Sequence, residues 1–312
     1  MENPKPYVSV IIINYNSAEY TVKCVNSVIK ETSNEVNYEI IVIDNASAYN
    51  DYLIIKKHIE SLKLAKISIH RSLINTGFGG GNMEGVSHAN GSYYLFLNND
   101  AVLLNDAIST CLTFMKNTSD AAVCGGNIFN EAGGREISFD YFTSFAREAF
   151  GKKFVEVVYK KPDRKAKHER PIKVDYVNGS FMLFNAKDFD RVGGFDTNIF
   201  LYFEESDICH RLLQQGRLTY FIPDAHYLHY HGKSTEKAIT PVEHKIELKT
   251  SMFYVIKKNL GSFQFHALRI FFILRYGVSS LIKSKNRPLF RHIINGLPMS
   301  ESLRHAQETM KK

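Results

Sequence analysis

Val8-Ser-Val-Ile-Ile-Ile-Asn-Tyr-Asn16 is the stretch whose reading decides the fold. It is a short, continuous, β-branched run that stops at a polar residue, Asn14. Such runs read as strands buried on both faces, the habit of parallel sheets. A helix follows, with Ser17 at its N-cap and Val22, Val25, Val28 and Ile29 on one face. The same sentence is then repeated along the chain. Glu39 to Ile43 reads as a strand ending at Asp44-Asn45, Asp51 to Leu62 as a helix and Lys66 to His70 as a strand. Gly79 to Asn90 reads as a helix, Tyr93 to Leu97 as a strand ending at Asn98-Asn99-Asp100, and Asp106 to Met115 as a helix. Strands and helices alternating at this spacing predict an α/β fold, a doubly wound and mainly parallel sheet. Polar residues at the carboxyl ends of such strands line the ligand crevice, which selects Asn14, Asp44 and Asp100.

The second half is less regular. Asn130 to Arg170 is aromatic and basic without a clear period, and reads as an insertion or a flexible lid. Ser180 to Phe184 predicts a strand, and Ala186 to Val192 a short helix ended by Gly193-Gly194. Glu205 to Gln215 predicts a helix closed by Gly216, and Thr219 to Ile222 a strand stopped by Pro223. From Pro241 the pattern is helical and amphipathic. The expected division is therefore a domain over 1–240, with halves at about 1–128 and 129–240, and a basic helical extension over 241–312.

Cys24, Cys111, Cys124 and Cys209 are scattered among apolar neighbours, which predicts reduced, buried thiols and a cytoplasmic compartment. The apolar run at the N-terminus is too short for a secretory signal, and Phe263 to Ile282 is interrupted by His266, Arg269 and Arg275, which argues against a membrane span. Charge is uneven. From His244 onward there are thirteen Lys or Arg against three Glu, a net of +10, whereas the whole chain carries +7, so the basic excess belongs to the tail. An excess of that kind suits an anionic surface.

Asn75-Thr-Gly-Phe-Gly-Gly-Gly-Asn82 is a glycine-rich loop entering a helix, able to bring backbone amides up to a diphosphate. It follows the third strand and ends in Asn, so it is not a Rossmann fingerprint. Asp100 is a carboxylate at a strand end, suited to a divalent cation, although an Asx turn would use the same residues. Glu204-Glu205-Ser206-Asp207 gathers three acids at a helix start, where they could raise one another's pKa or simply complement the helix dipole.

Taken together these segments resemble the family 2 glycosyltransferases of GT-A fold. Val10-Ile-Ile-Ile-Asn-Tyr-Asn16 is similar to the family's first strand, and Ile41-Val-Ile-Asp-Asn-Ala-Ser47 to its second. The loop from Asn75 to Asn82 is similar to that of the rhamnosyltransferase branch. Asn98-Asn99-Asp100 stands where the family has Asp-x-Asp. Gly193-Gly-Phe-Asp196 with Tyr202-Phe-Glu-Glu-Ser-Asp207 and Arg211 resembles its strongest signature, and His229-Tyr-His-Gly-Lys-Ser234 its His-x-x-Gly-x-Ser ending.

The resemblance implies an inverting transfer of a sugar, with L-rhamnose from dTDP-L-rhamnose the best match, to a hydroxyl of a cell-surface polysaccharide or a lipid-linked saccharide precursor. It implies Glu205 as general base, with Glu204 and Asp207 beside it. It implies Asp100 and His229 as ligands of Mn²⁺ or Mg²⁺. Asn14, Asn16, Asp44, Asn45, Asn75, Gly77, Gly80, Asn82, Asn98 and Asn99 would shape the site of the nucleotide diphosphate sugar, and the insertion would face the acceptor. The neutral Asn98 leaves open a catalytically silent, sugar-nucleotide-binding scaffold. A nucleotidyltransferase would want an early Gly-rich loop with Arg and Lys, and Asn-Tyr-Asn stands there instead.

The tail interleaves Phe271, Phe272, Leu274 and Tyr276 with Arg269, Arg275, Lys283, Lys285, Arg287 and Arg291. Two readings stay open: a peripheral helix on the inner face of a bacterial membrane, or a helix packed on the body with its lysines solvated. No nucleic-acid motif accompanies the charge.

Overall fold

The computed structural model describes residues 7–230, 240–307 and 309. His231, Gly232, Lys233 and Ser234, the end of the histidine motif, lie outside the described residues.

The first half contains β1 (Val8–Asn14), α1 (Ala18–Glu31), β2 (Tyr38–Asp44), α2 (Tyr49–Leu62), β3 (Ile67–Arg71), α3 (Gly77–Ser87), β4 (Tyr93–Asn98), β5 (Ala101–Leu103), α4 (Ala107–Asn117) and β6 (Ala121–Phe129). β1 is the centre of the parallel part, with β2 on one side and β4 on the other. Val10 and Ile12 face one apolar core, whereas Ile11 faces a second on the other side of the sheet. That two-sided burial is why the strand carries no alternation. β5 and β6 escape the sequence reading. β5 is only three residues long, and Ala-Ala-Val-Cys-Gly-Gly-Asn in β6 lacks β-branched density although the strand is buried.

The second half contains β7 (Phe139–Asp140), α5 (Phe145–Phe150), α6 (Lys152–Val158), β8 (Ile172–Val174), β9 (Tyr176–Val177), β10 (Phe181–Asn185), α7 (Ala186–Arg191), α8 (Glu204–Gln214) and β11 (Leu218–His229). The main sheet runs β3-β2-β1-β4-β10-β6-β11-β5, with β8 paired to β11. It is mixed and mainly parallel in its first half, with β10 antiparallel to both β4 and β6. β11 does not stop at Pro223. It passes the proline through a register shift between Phe221 and His226, a bulge that absorbs the missing N–H, and continues to His229. The segment read as a flexible lid holds two short helices instead. Asp140 ties it together by ion pairs with Arg147, Lys152 and Arg164.

The tail begins with α9 (Pro241–Ile282), opened by a Thr240–Glu243 capping box and kinked at Gly261, whose φ of 84° suits glycine. α10 (Arg287–Ile294) and a 3₁₀ turn over Leu303–Ala306 follow. Phe253, Ile256, Leu268, Phe272, Leu289 and Ile293 form a third, smaller core. Beyond the kink, one face packs through Leu268 and Phe272, while Phe263, Ile270, Leu274, Val278, Leu281 and Ile282 are exposed. The packed face accords with a helix lying on the body, and the exposed face is apolar. α9 is long and apolar enough to cross a membrane by length and composition alone, with 17% of its most apolar stretch buried.

Candidate active site

A cavity of about 380 Å³ opens at the carboxyl ends of β1, β2 and β4, where the strand order reverses. Its first wall is polar: Tyr15, Asn45, Asn75, Gly77, Asn98, Asn99 and Asp100. β10 runs antiparallel to β4, so the start of β10 meets the end of β4, and the Asn98 amide donates to the Ser180 carbonyl at 3.0 Å. Asn178, Gly179 and Ser180 thereby enter the wall. The sequence offers a signal for them, an Asn-Gly-Ser turn before a strand, which the motif reading passes over.

His229 reaches Asp100 by the same logic. β11 pairs antiparallel with β5, setting His229 opposite Ala101, and the Tyr230 amide donates to the Asp100 carbonyl. The imidazole Nε2 then lies 3.1 Å from Asp100 Oδ1, with both side chains nearly buried and both on the cavity wall.

Asn45 organises the glycine loop. Its Nδ2 donates to Asn75 Oδ1 and to the Gly77 carbonyl, and its Oδ1 accepts from the Thr76 amide and hydroxyl. Gly77 has φ +75°, and a Cβ there would stand 2.2 Å from the Phe200 carbonyl oxygen. Only glycine allows that approach, across which the Phe78 amide donates to Phe200 O at 2.9 Å.

Other expected residues sit behind the wall. Asn14 is fully buried and donates to Asp44, Ser47 and Asp51. Asp44 is fully buried and pairs with Arg71 at 3.1 Å, while burial, the largest influence, raises its pKa. Asn16 accepts from the Ala48 amide. The Asn99 amide group donates to Ser17 and Thr21, which fixes the turn carrying Asp100. Gly80 packs against Thr76, and Asn82 is buried in α3. Among the described residues Asn14, Asn16, Asp44, Gly80 and Asn82 are not on the cavity wall.

The opposite wall carries acids. Tyr202 and Phe203 adopt φ of 71° and 72°, a left-handed pair of bulky residues that costs on the order of 1–3 kcal/mol each. This turn delivers Glu204 and Glu205 to the cavity from the first turn of α8. Gly179 lies beside Glu205: a Cβ there would stand 3.9 Å from the Glu205 carboxyl carbon. Burial raises the pKa of Glu205 to about 7. Burial raises Glu204 well above the carboxylate range, and Glu205, Glu247 and Asp207 add to it. Glu204 Oε1 has no hydrogen-bond partner among the described residues. Burial and mutual repulsion thus disfavour two charges on this pair.

Asp207 is placed differently. It is fully buried and bonded to Arg211, Lys258 and Asn259, and it is absent from the wall among the described residues. Arg211 also donates to the Val192 and Gly194 carbonyls. Asp196 accepts from Tyr254 and Lys258. The acidic signature is thus partly a clamp that locks α8, the glycine turn and α9 together. Phe200, Leu201 and Tyr202 complete this side, joined by Leu303 and Gln307 from the tail. No local pattern marks those two, because long-range packing of the tail brings them there.

With this geometry in view, the comparisons with known proteins are consistent. Glycosyl transferase family 2 matches residues 9–193, and the chain belongs to that family. It is 26% identical over 267 residues to rhamnosyltransferase WbbL of Escherichia coli K12, covering 82% of this chain and 95% of that protein. It is 40% identical over 67 residues to N-acetylglucosaminyl-diphospho-decaprenol L-rhamnosyltransferase of Mycobacterium tuberculosis, covering 22% of this chain and 21% of that one. Among solved structures, the mannosyltransferase PcManGT from Pyrobaculum calidifontis in complex with GDP-Man and Mn²⁺ has a TM-score of 0.59 at 12% identity, covering 96% of this chain and 88% of its own. GalNAc-T7 with UDP, GalNAc and Mn²⁺ has a TM-score of 0.58 at 18% identity, covering 82% of this chain and 48% of its own. At these identities the two structures establish the GT-A-like fold. The protein is a glycosyltransferase.

Proposed function

We propose that the chain transfers L-rhamnose from dTDP-L-rhamnose, with inversion, to a hydroxyl of a cell-surface polysaccharide or its lipid-linked precursor. The observation that carries the reading is the placing of the Asp100–His229 pair and Glu205 on the walls of one cavity. Rhamnose itself rests on the likeness to the two rhamnosyltransferases.

The donor set fits a divalent cation. One carboxylate and one imidazole converge on the cavity, and among the described residues no cluster of three His, Cys, Asp or Glu exists. Two protein ligands suit a cation that takes its remaining oxygens from donor phosphates and water. Asp100 and His229 would hold Mn²⁺ or Mg²⁺, which supplies charge neutralisation for the diphosphate leaving group. The glycine loop, held by Asn45, gives the donor its wall.

Glu205 removes the proton from the acceptor hydroxyl. That oxygen forms the new bond to the anomeric carbon on the face opposite the diphosphate, and the bond to the diphosphate oxygen breaks with its electron pair leaving on that oxygen. A base titrating near neutrality suits this step, and burial disfavours the charged form of Glu204 beside it. Asp207 positions α8 through Arg211 and Lys258.

The exposed apolar row on α9, with Arg275 exposed on the same helix and Lys283, Lys285 and Arg287 exposed just beyond its end, lays the protein peripherally on the inner face of a bacterial membrane, next to a lipid-linked acceptor. The decisive experiment is release of dTDP from dTDP-L-rhamnose: it should need both acceptor and Mn²⁺ or Mg²⁺, and disappear in Glu205→Gln. Acceptor-independent release that survives Glu205→Gln would refute the reading.

A further inference from the structure

We infer that the C-terminal turn, Glu301 to Gln307, is a fixed strap that forms part of the acceptor subsite, with Leu303 and Gln307 determining acceptor specificity. The inference rests on the function proposed above. The family match ends at residue 193, so the strap lies beyond it.

The strap is anchored at three points. Glu247 of α9, almost fully buried, accepts from the Ser302 hydroxyl at 3.0 Å and from the Leu303 amide at 2.8 Å. Glu301 pairs with His292 Nδ1 at 2.6 Å, and His292 Nε2 meets the Thr250 hydroxyl at 2.8 Å. This resembles a nucleophile–base–acid series, but Thr250 and His292 are buried and the Thr250 hydroxyl also donates to the Ile246 carbonyl. It serves as a tether. Arg304 donates to Asn198 Oδ1 at 2.9 Å, in the loop that precedes α8.

These anchors set the strap on the side of the base. Ser251, one turn along α9 from Glu247, donates to the Leu201 carbonyl at 2.7 Å. Leu201 and Tyr202 lead directly into Glu204 and Glu205. The strap therefore closes the cavity on the wall that carries Glu204 and Glu205, with Glu247 close enough to Glu204 to raise its pKa, whereas Asp100, His229 and Asn45 stand on the other wall. Leu303 contributes an apolar surface, matched to the C–H face of a sugar or the start of a lipid carrier. Gln307 contributes one amide donor and one acceptor, matched to a sugar hydroxyl or an acetamido group. Gln307 is half-buried, with Nε2 also donating to the Leu303 carbonyl at 2.9 Å, and a polar group that pairs with a ligand discriminates more strongly than an apolar wall does.

The test uses the full chain, dTDP-L-rhamnose and an N-acetylglucosaminyl diphosphoprenol. Leu303→Trp and Gln307→Ala are compared with the intact protein, and Glu205→Gln is the control for chemistry. Gln307→Ala is the milder variant and keeps the test intact if the tryptophan disturbs folding, which thermal melting reports. The expected result is a rise of about tenfold or more in acceptor KM, with donor KM within about twofold. Transfer by the intact protein with acceptor KM unchanged in Gln307→Ala, or with donor KM shifted as much as acceptor KM, overturns the strap and leaves the proposed function standing. Absence of transfer by the intact protein overturns that function, and the strap's assignment falls with it.

Discussion

Asp100 Oδ1 and His229 Nε2 stand 3.1 Å apart although 129 residues separate them in the chain. The contact is made by sheet register, β5 against β11, and not by a local motif. It predicts unequal effects of substitution. In Mn²⁺, Asp100→Ala should weaken donor binding more than His229→Ala, because the carboxylate brings charge and the imidazole does not. Calorimetry in Mn²⁺ and in EDTA reads this directly. Equal donor affinity of the intact protein in both media would remove the cation from the reaction.

Glu205→Gln should lower turnover on the order of 10²–10⁴-fold while donor binding persists. Glu204→Gln should be mild by comparison, since burial disfavours the charged form of Glu204 and the proton transfer is assigned to Glu205. The kcat/KM profile of the intact protein should rise with pH along a limb near 7, where burial sets the Glu205 carboxyl. A profile flat from pH 6 to 8 would move the base elsewhere.

The same shift bears on stability. A carboxyl raised in the folded protein stabilises it at low pH, and that contribution is lost as pH rises through about 7. Glu205→Gln removes the loss. Its Tm should exceed that of the intact protein at pH 8, and the gap should close below about pH 5. A variant less stable at pH 8 would show that the ionised carboxylate is favourably held.

Much of this was legible beforehand, and the exceptions have physical causes. The parallel strands announced themselves because double burial forces continuous apolar runs. Asn45, Asn75, Asp100, Glu204 and Glu205 line the cavity: a strand end locates Asp100 and a helix start the two acids, whereas Asn45 and Asn75 were singled out by the family resemblance. Asn14 and Asp44 were placed at the right strand ends, yet their side chains bond one another, so position alone did not tell wall from support. Leu303 and Gln307 were invisible, since no periodicity encodes where a tail returns.

Gly77→Ala tests the close approach to Phe200. It combines a positive φ with a clash against a carbonyl oxygen, so it should destabilise by more than the roughly 0.4–1 kcal/mol that a tolerated Gly→Ala change gains. Denaturant unfolding measures it. Gly133→Ala is the comparison, because it shares a positive φ but meets nothing within 4 Å. Equal losses would mean that the contact with Phe200 contributes nothing.

For the membrane face, Leu274→Glu with Leu281→Glu should reduce binding to phosphatidylglycerol-containing vesicles while thermal stability stays within a few degrees, because both side chains are exposed. Binding of the intact protein should fall with salt, as each cation near an anionic surface is worth about 1 kcal/mol. Sedimentation with vesicles that is indifferent to both changes would return this face to solvent.

The hydrogen bond from the Phe78 amide to the Phe200 carbonyl ties the loop at the donor end to the segment that delivers Glu205. Four residues separate Phe200 from Glu205, and Tyr202 and Phe203 among them are already in a strained turn. Occupancy at one end therefore has a short mechanical route to the other. The glycine loop on one wall and the turn that carries Glu204 and Glu205 on the other are thus mechanically one piece, so a change at either wall is felt at both.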